Sequence, residues 1–184
     1  PEYVRANLRA LFAYQFGWPG RKLLFMGAEL GQEREWSHDR ELDWWLWDDP
    51  DHRAIGRLLA DLNRLYTREP ALHEKDFDGA GFEWIDCHDS AQSVLAWLRR
   101  SGDRHVLVLV NFTPVVRYGY RIGVPAVAAY REVLNTDAGL YGGSNVGNLG
   151  QVAVERRTWM GRPCSLMLTL PPLGAVVLAP EGAD

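Results

Sequence analysis

Between Lys22 and Trp45 the chain reads KLLFMGAELGQEREWSHDRELDWW. An apolar run, Leu23-Leu24-Phe25-Met26, breaks at Gly27. Glu29, Glu33, Glu35, Trp36, His38, Asp39, Asp43, Trp44 and Trp45 then follow almost without filler. Carboxylates and indoles set just past the end of a buried strand suit a carbohydrate. Carboxylates accept hydrogen bonds from hydroxyls, and indole faces stack on the apolar faces of sugar rings. Glu29, Trp36, Asp43 and Trp44 are the candidate sugar-binding residues. Each has a structural alternative: an ion pair with an arginine such as Arg34 for Glu29, burial beneath the loop for Trp36 and still more for Trp45, and backbone capping for Asp43.

The flanking elements follow from periodicity. Val4, Leu8, Leu11, Phe12 and Phe16 recur at the helical period over residues 3–16, and Gly17 with Pro19-Gly20 ends that helix. A buried strand is expected at 22–26, followed by a polar, aromatic loop to residue 50. Loops of that length inside a compact fold are usually functional. Pro50-Asp51 opens a second helix with Ile55, Leu58, Leu59, Leu62, Leu65 and Tyr66 on one face, ending near Arg68. The texture then changes to short apolar runs at 82–85, 94–98, 106–112, 130–134, 166–170 and 175–178, separated by turn residues. Ser101-Gly102-Asp103 marks a hairpin, and Leu166, Leu168 and Leu170 show the period of a half-buried strand. Many short strands with frequent turns predict a β-sandwich. The domain boundary is expected at 69–72, giving one part over 1–70 and a second over 71–184.

Bulk properties narrow the function. The 184 residues carry a net charge of −4, so there is no basic footprint for nucleic acid and no reason to seek an anionic membrane. No stretch approaches the roughly 20 apolar residues of a membrane span, and no signal-peptide pattern is evident. Two cysteines, Cys87 and Cys164, are too few for a disulfide framework. Free thiols in a cytoplasmic protein are expected. His73, His88 and His105 lack the paired spacing of a zinc site, so no metal and no cofactor is assigned. Eight tryptophans exceed what a core of this size needs. Arg99, Arg100, Asp103 and Arg104 read as a solvated hairpin end. Trp84, Trp97 and Trp159 read mostly as packing residues.

Several segments together resemble one family. The 22–45 segment, HEKDFDGAGFEW (73–84), LVNFTPVVRYGYRIGVP (109–125), REVLNTDAGLYGGSNVGN (131–148) and SLMLTLPPLGAVVLAP (165–180) are similar to the C-terminal part of bacterial 1,4-α-glucan (glycogen) branching enzymes of the α-amylase superfamily. The match runs over nearly the whole chain. FMGxE is shared with many amylase relatives, whereas VLNTD with YxGSNxGN, and LTLPPL, are more specific. The resemblance implies an α+β two-part fragment. Residues 1–70 would be the end of a (β/α)₈ TIM barrel (a helix, the eighth strand at 22–26, its loop and the closing helix), followed by an all-β sandwich. It also implies α-glucan as partner, together with the missing N-terminal part of the enzyme. Ala28 and Leu30 depart from the family, which usually has Asn and an aromatic residue there.

The implied chemistry breaks an α-1,4 bond and forms an α-1,6 branch with retention, which requires two carboxyl groups about 5 Å apart. The family signatures that carry them are an Arg-x-Asp strand end, a Glu-containing strand end and a His-Asp catalytic loop, and none precedes residue 22. The His-Asp pairs at 38–39 and 88–89 lie in the wrong places. No catalytic residue is therefore assigned, the chain alone is expected to be inactive, and its beginning at Pro1 reads as a piece of a longer protein. A strand at 22–26 without barrel neighbours leaves residues 1–50 less stable than the sandwich. Two alternatives remain: a non-catalytic glucan-binding or scaffolding module, and part of another amylase-type enzyme.

Overall fold

The structure, a computed structural model, describes residues 2–182. Helix α1 spans Glu2–Gly17 and helix α2 spans Pro50–Arg68. Asp49 accepts a hydrogen bond from the Asp51 amide and Pro50 occupies the first turn, so α2 begins where its capping signals place it. Eight strands follow: β1 (Phe82–Asp86), β2 (Val94–Ser101), β3 (Arg104–Asn111), β4 (Arg117–Val124), β5 (Ala129–Asn135), β6 (Gln151–Ala153), β7 (Cys164–Leu170) and β8 (Gly174–Pro180). Six form one antiparallel sheet in the order β1-β2-β3-β8-β5-β6, and β4 pairs with β7 in a second sheet. The β2–β3 hairpin closes at Gly102-Asp103, with Gly102 at φ 56°. A left-handed residue at that turn suits glycine.

Both faces of the six-stranded sheet are covered. Val106, Val108 and Val110 of β3 point toward α1 and α2, where they meet Phe12, Phe16, Ile55, Leu58 and Leu62. Leu107 and Leu109 point the other way, toward Ile122, Leu166, Leu168 and Leu170. This double burial explains why β3 and β8 read as unbroken apolar runs whereas β7, open on one side, alternates. Met167 stands on that open side. The architecture is a helical N-terminal region laid on a β-sandwich. β4 and β6 carry no sequence signal: Gly119 and Gly123 interrupt the alternation in β4, and β6 is only three residues long. Among the described residues, no helix is long and apolar enough to cross a membrane.

Residues 22–26 form no strand ladder. The segment lies on the surface with Leu23, Phe25 and Met26 exposed, because no neighbouring strand is present to take its backbone hydrogen bonds. Arg99 also departs from the solvated hairpin end expected of it. It is fully buried. Its guanidinium donates to Asp76 at 2.7 Å and to the carbonyls of Gly17 and Gly81, each at 3.2 Å. The Trp97 indole N–H donates to the same Gly17 carbonyl at 2.9 Å. Two donors from β2 therefore satisfy the C-terminal end of α1, where carbonyls lack helical partners and a positive charge is favoured.

Candidate functional site

The segment between the helices is built from two 3₁₀ turns and a clasp. The first turn, Ala28–Leu30, lies between Gly27 at φ 87° and Gly31 at φ 62°. Leu30 is buried and its carbonyl lies 2.6 Å from His52 Nδ1 on α2. A Cβ at Gly31 would come within 2.7 Å of Ile55, so glycine both permits the turn and lets it rest on the helix. The clasp closes residues 32–43. Gln32 accepts from the Asp43 amide at 2.9 Å and donates to the Arg34 carbonyl, while Arg34 grips the Asp43 carboxylate with two nitrogens, Nε at 2.9 Å. Paired guanidinium–carboxylate contacts of this type are directional and strong.

The clasp delivers the chain into the second turn, Trp44–Asp48, in which Leu46 is buried while Trp44, Trp45 and Trp47 stand 57%, 65% and 48% exposed. Three indoles in five residues, mostly in water, are not core filling. Trp47 lies over Gly56 of α2, where a Cβ would come within 2.6 Å of its ring. Glu29, Leu30, Trp44 and Trp47 line a pocket of about 430 Å³. Glu29 has no hydrogen-bond or ion-pair partner among the described residues. The pocket surface is almost wholly apolar, so what it offers is the stacking faces of two indoles, with Glu29 an uncommitted carboxylate among its lining residues. It lacks the second carboxyl group that acid–base work on a glycosidic bond requires.

Glu29 and Trp44 therefore share one pocket. Trp36 lies apart from it, edge-on to Phe25 with ring centroids 5.5 Å apart and 37% exposed. Asp43 is buried, makes no side-chain capping bond, and spends its carboxylate on Arg34. The Arg34 partner considered for Glu29 thus belongs to Asp43. Trp45 is not beneath the loop, because Leu46 takes the inward position of that turn. Trp47, which was not singled out from sequence, is the second wall of the pocket. Its signal was Gly56, an isolated glycine inside an otherwise amphipathic helix. The polar loop 135–148 bonds to itself: Asp137 accepts from the Ser144 amide and hydroxyl and from the Val146 amide. Tyr141 ties that loop to α2 by donating to Asp61 at 2.8 Å. Trp159 is 38% exposed, with Arg121 and Arg157 beside its ring. Among the described residues no three His, Cys, Asp or Glu side chains gather closely enough to hold a metal ion.

The fold and its order place the chain in a defined class. The family model for the α-amylase C-terminal all-β domain matches residues 84–181, and the chain belongs to that family. The resemblance to bacterial branching enzymes holds in the sequence comparisons. The chain is 57% identical over 95% of its length to the 1,4-alpha-glucan branching enzyme GlgB of Cereibacter sphaeroides, covering 24% of that protein. It is 58% identical over 96% of its length to the enzyme of Burkholderia thailandensis, covering 22% of it. Against that of Aquifex aeolicus it is 55% identical over 96%, covering 28%. The chain thus spans about a quarter of the length of the relatives it matches. In three dimensions it is similar to the crystal structure of the debranching enzyme from Nostoc punctiforme. The TM-score is 0.64 at 15% identity, over 95% of this chain and 31% of that one, a likeness of fold.

Proposed function

We propose that this chain is the C-terminal part of a 1,4-α-glucan branching enzyme, a transferase that builds α-1,6 branches from α-1,4 glucan in glycogen synthesis. In this reading residues 1–70 close a (β/α)₈ barrel and residues 71–184 are the sandwich that supports it. The observation that carries the proposal is the surface of the N-terminal region. Leu23, Phe25 and Met26, in a segment without ladder partners, are exposed together with Val4 and Leu11 on the outer face of α1. Exposed apolar side chains in that arrangement, on a segment with no ladder of its own, fit a strand and helix that pair with further barrel elements. The high identity to branching enzymes over nearly the whole chain supports the same reading.

The reaction needs one carboxylate to attack the anomeric carbon. A second carboxyl group protonates the leaving oxygen and later takes the acceptor's proton. Those groups belong to the upstream part, so the isolated chain is inactive. Its contribution is to hold glucan: Trp44 and Trp47 offer stacking faces, Glu29 accepts from a hydroxyl, Trp36 is a separate platform, and Asp43 positions the indole turn through Arg34. The free thiols Cys87 and Cys164 agree with the cytoplasmic setting that the proposal includes. Two measurements test it. The purified chain should form no α-1,6 branches from amylose, and should do so once joined to the upstream part of a branching enzyme. Branch formation by the chain alone, or none from the joined protein, overturns the assignment. A non-catalytic glucan-binding module is the second reading, favoured by a pocket formed entirely within this chain. A gel containing glycogen that retards the chain, while the joined protein stays inactive, would select it.

A further inference from the structure

On the outer side of Trp47 lies a second cleft, of about 500 Å³, with Arg53, Arg57 and Arg64 of α2 along it and Leu140 opposite. No carboxylate lines it, in a chain whose net charge is −4. The three arginines lie on the face of α2 opposite the buried Ile55, Leu58 and Leu62. Arg53 and Arg57 are one helical turn apart, about 6 Å along the axis, close enough to share one anionic group. Arg53 is fixed in place, its Nη1 donating to the carbonyls of Trp47 at 3.0 Å and Asp48 at 2.8 Å. Those contacts orient the guanidinium without neutralising it. Arg57 has no hydrogen bond or ion pair among the described residues. Arg64 is partly committed, paired with Asp61, and marks the far end.

The floor is Ala54, Gly56 and Ala60. It carries no side-chain donor or acceptor with which to read the edge of a nucleobase. The wall is the Trp47 indole, half-exposed and seated on Gly56. An indole face beside two arginines suits a sugar ring that carries a doubly charged, oxygen-rich group, because guanidinium forks match phosphoryl geometry. We propose that this cleft binds a phosphorylated hexose, with its phosphoryl group on Arg53 and Arg57 and its ring against Trp47. The site goes beyond the glucan pocket and does not depend on it, since the arginines that carry its charge line only this cleft. Trp47 is common to both.

The test is titration calorimetry on the full chain at low salt with glucose 6-phosphate, glucose, inorganic phosphate and a hexaglutamate peptide. Glucose 6-phosphate should bind at least tenfold more tightly than glucose or phosphate. Arg57→Gln should weaken it tenfold or more, and Arg57→Lys should retain part of the affinity. Arg57 is exposed, so these variants fold, and circular dichroism checks that they do. Trp47→Leu should reduce the preference for glucose 6-phosphate over phosphate while leaving phosphate binding in place. Glucose 6-phosphate binding no better than phosphate, or unchanged by Arg57→Gln, overturns the proposal. Hexaglutamate binding as tightly as glucose 6-phosphate also overturns it and identifies an acidic-peptide surface instead. A maltodextrin carrying one phosphate ester separates the two sources of such a ligand. Tighter binding than the free ester places the group on a polymer, and equal binding identifies the free sugar phosphate.

Discussion

Arg99 offers the sharpest test of how the two parts of the chain are joined. Its guanidinium is fully buried and links Asp76, Gly81 and the end of α1 at Gly17. Arg99→Met keeps much of the volume and removes every donor. The Gly17 carbonyl keeps the Trp97 indole, but the Gly81 carbonyl loses the guanidinium, and Asp76 is left as a buried charge with the Tyr66 hydroxyl, now 2.6 Å away, as its hydrogen-bond partner and only the field of Lys22 beside it. Removing one partner of a buried pair costs about 3–5 kcal/mol, a large share of the roughly 5–15 kcal/mol that stabilises a typical domain. With a urea slope of about 2 kcal/mol/M, the unfolding midpoint should fall by about 2 M. Asp76→Leu combined with Arg99→Met removes both charges and should recover most of the loss. The pH dependence adds a second readout. Burial raises the Asp76 carboxyl, but hydrogen bonds from Tyr66 and Arg99 and the field of Lys22 outweigh it, and its pKa lies below the ordinary value. The unfolded chain then binds the proton first as pH falls. This contribution is complete above about pH 5 and is lost as pH drops below about 4. The acid limb should be shallower in Arg99→Met. A cost below about 1 kcal/mol, or a double variant no more stable than the single one, would refute the account.

Lys22 should lose its proton near pH 8, because burial, opposed by Asp76 and aided by Arg99, lowers it to about 8. A pH series of its side-chain carbon shift measures this, and a midpoint near 10 contradicts it. Between about 8 and 10.5 the unfolded chain holds the proton and the folded chain does not, so stability should rise with pH there. Trp44→Ala should weaken maltodextrin binding severalfold without moving the unfolding midpoint, since Trp44 is 57% exposed. An unchanged affinity removes Trp44 from the pocket's function. Hydrogen exchange should be fast over residues 19–49 and slow in β3 and β8. α1 should be protected, because Phe12 and Phe16 share a core with Val106 and Val108. Equal protection throughout would mean that the exposed segment is held by forces not visible in its contacts.

The helices and six of the strands were legible because periodicity and punctuation agreed. Pro50-Asp51 opens α2, Gly102 closes a hairpin, and the alternation of Leu166, Leu168 and Leu170 matches the buried face of β7. Composition misled at Arg99, where a charged run beside a turn looked solvated. Its burial depends on Asp76, whose position is fixed only when the chain after α2 folds back over the sheet. Residues 22–26, which form no ladder within this chain, show a different limit. Their apolar character is what a strand needs, but a strand exists only where a neighbour supplies hydrogen bonds. The candidate pocket was half legible. Glu29 and Trp44 follow from residue type and spacing, whereas the Arg34–Asp43 clasp, which decides what Asp43 can do, depends on how the loop closes.

Gly56 shows how the missing wall of the pocket can be read, and gives a final test. Glycine inside a helix costs about 1 kcal/mol relative to alanine, so Gly56→Ala should strengthen α2 considered alone. In the folded chain a Cβ at that position would come within 2.6 Å of the Trp47 ring, closer than packed carbon atoms tolerate. The helix is held by Ile55, Leu58, Leu59 and Leu62 in the core, whereas Trp47 lies at the surface on a short turn. The indole therefore gives way rather than the helix. Trp47 borders both the Glu29 pocket and the arginine cleft, so one methyl group should weaken maltodextrin and glucose 6-phosphate together. Helix content should stay constant and the unfolding free energy should change by less than about 1 kcal/mol. Calorimetry with each ligand and circular dichroism decide the point. Loss of one affinity without the other would show that Trp47 serves a single site, and loss of neither would show that its seat on Gly56 is incidental to binding.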